Sequence, residues 1–206
     1  MQPNPPARLT AAEIASRLSQ ALPDPELEAL AKANAHLRPA AVLVPLLFDE
    51  GKWSLLLTRR TETLNSHKGQ VAFPGGAADP EDDSPAATAL REAFEEIGLQ
   101  PQDARVLGYL TERPTISHFL VTPVVAQVPW PYPYRLSPAE VSRIFTVPLD
   151  WLAVTANYEY RPRTNPNGYY DRVLHYHLYD GEILWGASAR IALDLLNALD
   201  LLEEKP

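Results

Sequence analysis

The sequence predicts an α/β sandwich, and three observations carry that prediction. Short apolar runs with strand composition recur from Ala40 to Val128. Amphipathic stretches of helical period interrupt and close the series. Turn-forming residues separate the elements, and no internal repeat or low-complexity segment disturbs the order.

The elements follow in chain order. Residues from Thr10 to about Ala35 read as two short helices broken at LPDPE, with Thr10 and Asp24 as N-caps. AAVLVPLLF and WSLLLTRR, separated by DEGK, read as a hairpin of buried strands. Pro85 to Ile97 reads as a helix, with Ser84 as its N-cap, Pro85 at the first position and Gly98 as its stop. RVLGYLTE and FLVTPVVAQV are further strand candidates. SPAEVSRIFTVPLDWL is expected to begin as a short helix capped by Ser137, with Glu140 at its third position. RVLHYHLY alternates like a strand, and GASARIALDLLNALDLLEE closes the chain as an amphipathic helix. The proline-rich segments VPWPYPYRLSP and RPRTNPNG are expected to be rigid loops. The expected organisation is an N-terminal helical extension, 1–38, and one domain, 39–206.

Composition narrows the functions available. At 206 residues the chain is long enough to bury a core, and 46% hydrophobic with 21% charged residues is ordinary for a globular domain. There is no cysteine, which excludes disulfides, thiol nucleophiles and thiolate metal sites. A net charge of −8 argues against general binding to nucleic acid, and no apolar run reaches the roughly eighteen residues of a membrane span. The first residues lack the basic and then apolar segments of a secretory signal, so a cytoplasmic location is expected.

The chemistry concentrates in PGGAADPEDDSPAATALREAFEEIGL. At roughly 100° per residue, Leu90, Phe94 and Ile97, with Ala86 and Ala87, are expected to face the core. Glu92, Glu95 and Glu96 are expected on the opposite side, with Arg91 four residues before Glu95 to hold that carboxylate. One reading is a solvated charged face. Against it, Glu pairs at these spacings repel by a few tenths of a kcal/mol each, and negative charge in a last turn costs a further ~0.3–1 kcal/mol. A dication would reverse both effects, and all-oxygen ligands favour Mg²⁺ or Mn²⁺. Gly75 and Gly76 are expected to permit positive φ and close approach by a ligand.

These residues resemble the Nudix box, G-x5-E-x7-R-E-U-x-E-E-x-G-U with U aliphatic. Arg91, Glu92, Glu95, Glu96, Gly98 and Leu99 match. In the loop half, either Ala77 and Asp83 or, with one extra residue, Gly76 and Asp82 take the glycine and acid positions. Upstream, LLTRRTETLNSHKGQVAFPGG is similar to the signature preceding the box in coenzyme A pyrophosphatases. Leu56, Leu57, Thr58, Arg60, Gly69, Phe73, Pro74, Gly75 and Gly76 stand in place, and the longer loop favours the Gly76 and Asp82 alignment. Thr61 and Asn65 depart from it, Asn65 by replacing an arginine. The resemblance covers roughly Pro39 to Leu199.

The resemblance implies a Nudix-type α/β/α sandwich with a mixed β-sheet that hydrolyses coenzyme A to 3′,5′-ADP and 4′-phosphopantetheine, with acyl-coenzyme A as a related substrate. Glu92, Glu95 and Glu96 would hold Mg²⁺ or Mn²⁺, and Arg91 would orient them. Arg60, His67, Lys68, Gly75 and Gly76 would bind substrate, with Arg60 the family-matching candidate for the 3′-phosphate. Arg59, His67 and Lys68 are the cations that could replace the one missing at Asn65. The general base stays open among a box glutamate, Glu112 and Glu140. Trp185 is assigned to the core. The expected partner is a small nucleotide substrate, with neither nucleic acid nor membrane, and a homodimer is one possible assembly. The alternatives are a Nudix enzyme for ADP-ribose or a nucleoside triphosphate, and a non-catalytic protein using the fold.

Overall fold

The computed structural model describes residues 9–22, 24–34, 36–62, 68–164 and 170–202. Two strands organise the rest. β1 (Arg38–Asp49) and β2 (Lys52–Arg60) form the expected hairpin, turning at Glu50 and Gly51 with φ of 47° and 79°. Positive φ at both positions matches the twist of the flanking strands. The strands pair only over 46–49 and 52–55 and then diverge. The gap between them is filled by two short strands, β3 (Val71–Ala72) against β2 and β4 (Gly75–Ala77) against β1.

Around this wedge the sheet grows to eight strands. β5 (Arg105–Tyr109) and β6 (Arg113–Pro114) pair antiparallel with β7 (Phe119–Gln127). β7 runs parallel to β1 from Arg38↔Phe119 to Leu46↔Gln127, so the sheet is mixed as expected. β8 (Val141–Pro148) closes the other side against β2. β9 (Tyr158–Thr164) and β10 (Tyr170–Tyr176) make a separate antiparallel pair.

Side-chain alternation gives the sheet two apolar faces. Leu43, Leu47, Leu56, Val124 and Ala126 face one way, under α3 (Pro85–Ile97). Val44, Leu46, Leu55, Leu57 and Val125 face the other way, under α1 (Ala11–Gln20), α4 (Leu149–Ala153) and α5 (Gly186–Ala198). The result is an α/β/α sandwich.

The N-terminal helices form where the sequence places them. Thr10 and Glu13 make a reciprocal capping box on α1, and Asp24 caps α2 (Pro25–Ala33). α1 is part of the main core: Ile14 and Leu18 are buried in the same cluster as Leu46 and Leu57. Trp53 Nε1 donates to the Leu9 carbonyl at 2.6 Å, and Arg17 donates to the Leu199 carbonyl. Gly108 lets α1 cross β5 closely, since a Cβ there would lie 2.9 Å from Leu18 Cβ.

Two expectations need correction. The helix expected to start at Ser137 is a single turn leading into β8, because Val-Ser-Arg-Ile-Phe-Thr-Val is β-branched and alternating and pairs with β2. In RPRTNPNG, 161–164 belong to β9, and 165–168 lie outside the described residues. Among the described residues, no helix is long and apolar enough to cross a membrane. Because Ile14 is fully buried, Ile14→Ala is expected to lower stability by about 2–5 kcal/mol. An unchanged urea-unfolding midpoint would show that α1 only rests on the surface.

Candidate active site

α3 has the predicted ends. Ser84 Oγ accepts from the Ala87 amide at 3.2 Å, Pro85 opens the first turn, and Gly98 closes the helix in the left-handed region at φ 70°. Its orientation differs from the expected one. Ala89, Ala93 and Ile97 form the core stripe, while Phe94 is 46% exposed. Small residues at 89 and 93 let the helix lie close to the sheet, and the larger Phe94 ring stands outside that contact. The rotation separates the three acids. Glu95 is exposed, Glu92 is half-buried, and Glu96 is 1% exposed beside Ile97. They do not share one solvated face.

Arg91 ties the preceding loop to the helix. Its Nε and NH2 donate to the two carboxylate oxygens of Asp82 at 3.1 and 3.0 Å, and NH2 also donates to the Ala77 carbonyl at 3.0 Å. NH1 reaches Glu92 at 3.0 Å and Glu95 only at 3.4 Å. The expected hold on Glu95 is therefore among the longest of its hydrogen bonds. Asp82 meets Arg91 while Asp83 is exposed, which supports the alignment with Gly76 and Asp82 at the box positions. These hydrogen bonds, with a backbone amide at Asp79, hold the Asp82 carboxyl down at about 2.

Gly75 and Gly76 serve different contacts. A Cβ at Gly75 would lie 2.4 Å from the Ala41 carbonyl oxygen, so β4 can pair with β1 only without one. A Cβ at Gly76 would lie 2.5 Å from Glu92 Oε1, so the missing side chain is the space in which that carboxylate sits. Positive φ is found at Gly75, at 158°, and not at Gly76.

Glu96 is the unusual member. Burial pushes its carboxyl up to about 8; Arg60 opposes that shift, Glu140 and Glu92 add to it, and the Gly75 amide opposes it. Its Oε1 is buried without a hydrogen-bond partner, and Arg60 NH1 lies 3.6 Å away. Glu92 is pushed up by burial, against the pull of Arg91, with Glu95 and Glu140 adding to the rise. Among the described residues, no group of three or more His, Cys, Asp or Glu side chains stands assembled as a metal cage. The donor set nevertheless fits a hard dication. The buried Glu96 oxygen lacks a partner, the glycine space holds Glu92, and exposed Glu95 is free to swing by rotamer change.

Two further acids approach this side of the sheet. The turn carrying Glu140 is clamped at both ends: Ser137 donates its amide to the Glu96 carbonyl at 2.8 Å, and Thr61 donates its amide to the Glu140 carbonyl at 2.9 Å. The Glu140 charge is felt by both Glu92 and Glu96. Glu112 accepts from Thr122 Oγ1 at 2.9 Å, and Thr122, Ala41 and Gly76 lie in one row across three strands.

A cleft of about 450 Å³ lies near the same end of β2, lined by Arg59, Lys68, Gln70, Glu182, Ile183 and Trp185. Arg59 joins it because adjacent side chains on β2 point to opposite faces: Arg60 reaches Glu96, while Arg59 reaches Glu182 at 3.3 Å. Trp185, which the sequence reading assigned to the core, is only half-buried and stacks on His175 with centroids 5.4 Å apart. Its position before Gly186 at the start of α5 was the available signal. His67 and Asn65 lie outside the described residues.

The glycine pair generates a contrast. Gly75→Ala strikes backbone and is expected to destabilise the fold by more than the ~1–3 kcal/mol of an ordinary overpacked site. Gly76→Ala strikes the movable end of Glu92 and is expected to spare the unfolding midpoint while weakening Mn²⁺ binding; equal effects on both readouts would refute the distinction. Glu96 generates a pH dependence. Below its ordinary value of 4.5 both folded and unfolded chains hold its proton. Between 4.5 and about 8 only the folded chain does, so its contribution to stability is lost as pH rises through that window. Metal-free Glu96→Gln is expected to flatten this slope, and parallel stability–pH curves for variant and parent would contradict it.

Residues 37–167 match the family model of the NUDIX domain. A Photorhabdus laumondii protein described as uncharacterized Nudix hydrolase NudL is 41% identical over 183 residues, covering 89% of this chain and 94% of that protein. A protein of the same description from Cronobacter sakazakii is 38% identical over 170 residues, covering 81% and 85%. The crystal structure of a NUDIX hydrolase from Alicyclobacillus acidocaldarius superposes with a TM-score of 0.50 at 21% identity, covering 82% of this chain and 98% of that one. A MutT/nudix family protein from Enterococcus faecalis superposes equally well at 15% identity, covering 92% and 73%. With an acid-bearing helix, its arginine-tied loop and a family match over more than half its length, this chain belongs to the Nudix family and is a hydrolase of pyrophosphate bonds.

Proposed function

We propose that the substrate is coenzyme A, or an acyl-coenzyme A, cleaved to 3′,5′-ADP and 4′-phosphopantetheine. The observation that carries this reading is the stretch Leu56 to Gly76. It keeps the residues resembling the coenzyme A signature, and its cations serve two places at once. Arg60 ends at the acid cluster, and Lys68 lines the neighbouring cleft. A substrate with a reacting pyrophosphate and a separate phosphate elsewhere suits that division.

Glu92, Glu95 and Glu96 would hold Mg²⁺ or Mn²⁺. When bound, such an ion neutralises charge on the pyrophosphate and acidifies a water. Glu140, whose charge reaches both Glu92 and Glu96, takes the proton of the attacking water. One P–O bond forms to that water, and the bond from the same phosphorus to the bridging oxygen breaks. The leaving phosphate departs with the bridging oxygen and its electron pair. Lys68 meets the 3′-phosphate from the cleft, and Arg91 keeps the loop and Glu92 in place.

The test is a substrate panel with Mg²⁺ and Mn²⁺, read by product mass. Coenzyme A is expected to be cleaved at least several-fold better than dephospho-coenzyme A and far better than ADP-ribose. Lys68→Ala should remove most of the first preference: a charge-assisted contact contributes roughly 1.5–3 kcal/mol, about ten- to a hundredfold in kcat/KM. Glu140→Gln should lower kcat by about 10²–10⁴ with little change in KM, and Glu112→Gln much less. Equal rates on the two coenzymes would remove the 3′-phosphate contact, and faster ADP-ribose cleavage would replace the substrate.

A further inference from the structure

We infer that Arg60 is a displaceable partner of Glu96: its guanidinium rests beside that carboxyl in the ligand-free protein, and it transfers to the substrate's pyrophosphate when a dication takes its place. This rests on Glu92, Glu95 and Glu96 being the dication ligands.

The two arginines at this end of α3 are held in opposite ways. Arg91 has hydrogen bonds from Nε, NH1 and NH2 to Asp82, Glu92, Glu95 and the Ala77 carbonyl. Arg60 has a buried Nε with no hydrogen-bond partner, and its approach to Glu96 is an ion pair at 3.6 Å, beyond hydrogen-bond length. A guanidinium carries five donors in a planar fork; the Nε–H of this one is buried without a partner, which is costly, while the side chain as a whole is 25% exposed. Its backbone is fixed, since the Arg60 amide donates to the Gln70 carbonyl at 3.0 Å and β8 pairs on the other side. The strand therefore holds the Cα in place while the long side chain remains loosely bound at its tip.

Glu96 has the matching deficiency. Its Oε1 is buried and unpartnered, its other charged neighbours are the acids Glu92 and Glu140, and Arg60 is its only ion-pair partner among the described residues. A dication bound to that oxygen satisfies it better than Arg60 does. It also places two positive charges within a few ångströms of the guanidinium, which repels it. The displaced fork then meets the anion that the dication brings in, a diphosphate, whose oxygens match its geometry. Dication and diphosphate binding become linked through one side chain, and the linkage is reciprocal.

The role assigns Arg60 to the reacting pyrophosphate, common to coenzyme A and dephospho-coenzyme A, and leaves discrimination between them to Lys68. Mn²⁺ binding can be followed by the electron paramagnetic resonance of the free ion, with and without α,β-methylene-ADP, and needs no turnover. In Arg60→Ala without nucleotide, Mn²⁺ is expected to bind tighter by about fivefold or more, because its competitor is gone. The extra Mn²⁺ affinity conferred by the analogue should shrink by a similar factor, with Arg60→Lys in between. Arg60→Gln, closer in shape, replaces Arg60→Ala if the latter loses its native unfolding midpoint. Unchanged or weaker nucleotide-free Mn²⁺ binding in a folded variant overturns the inference and leaves the ligand assignment standing. A parent protein that binds no Mn²⁺ overturns that assignment as well.

Discussion

The close approach of α3 to the wedge between β1 and β2 is the constraint on which the site depends. Ala89 and Ala93 permit it from the helix and Gly76 permits it from the sheet, while Gly75 lets β4 lie against β1. Ala89 and Ala93 carry only a methyl group and Gly76 no side chain, where a larger one would keep the layers apart. The consequence is electrostatic. With the helix this close, the carboxylate beside the stripe at Glu96 is buried, and the one a turn earlier at Glu92 fits over a glycine. A looser interface would leave both acids in water, where they would repel each other weakly and bind a cation weakly.

Legibility in the sequence followed how local each signal was. The ends of α3, the caps at Thr10 and Asp24 and the turn at Glu50–Gly51 depend on neighbouring residues and were readable. The face of α3 was not. Hydrophobicity ranks Phe94 above Ala89, but the closest approach to the sheet is made at Ala89 and Ala93, and the surface they meet belongs to strands distant in sequence. The same limit explains 137–148. Ser137 and Glu140 look like a helix start, yet pairing with β2 decides the matter in favour of a strand. Trp185 differs because its partner, His175, is ten residues away, and the cleft it lines is formed with Arg59 of β2 and Val71 of β3, which are distant in sequence.

The acids were legible as a spacing, but their division of labour was not. Three glutamates within five residues read as equivalents, whereas the fold makes one buried, one half-buried and one exposed. That gradation matters chemically. A buried carboxylate has few rotamers to lose and a fixed position, so it can define where a cation sits. An exposed one can close over the ion afterwards. Glu140 and Glu112 carried no spacing signal, since their closeness to α3 is created by the 137–140 turn and by the row Thr122, Ala41 and Gly76.

Arg91 and Arg60 show how a fold can hold an acid cluster it does not itself neutralise. Arg91 spends its donors on the loop and on Glu92, which fixes geometry without relieving Glu96. Arg60 relieves Glu96 partly, through a long ion pair, and leaves its own Nε unsatisfied. Stronger pairing would stabilise the ligand-free chain, but it would also oppose any cation coming to the same oxygen. Weaker pairing would bind the Glu96 proton more firmly, and an incoming cation would have to displace it. The intermediate arrangement keeps the chain folded while the best partner for Glu96 remains one that arrives from solution.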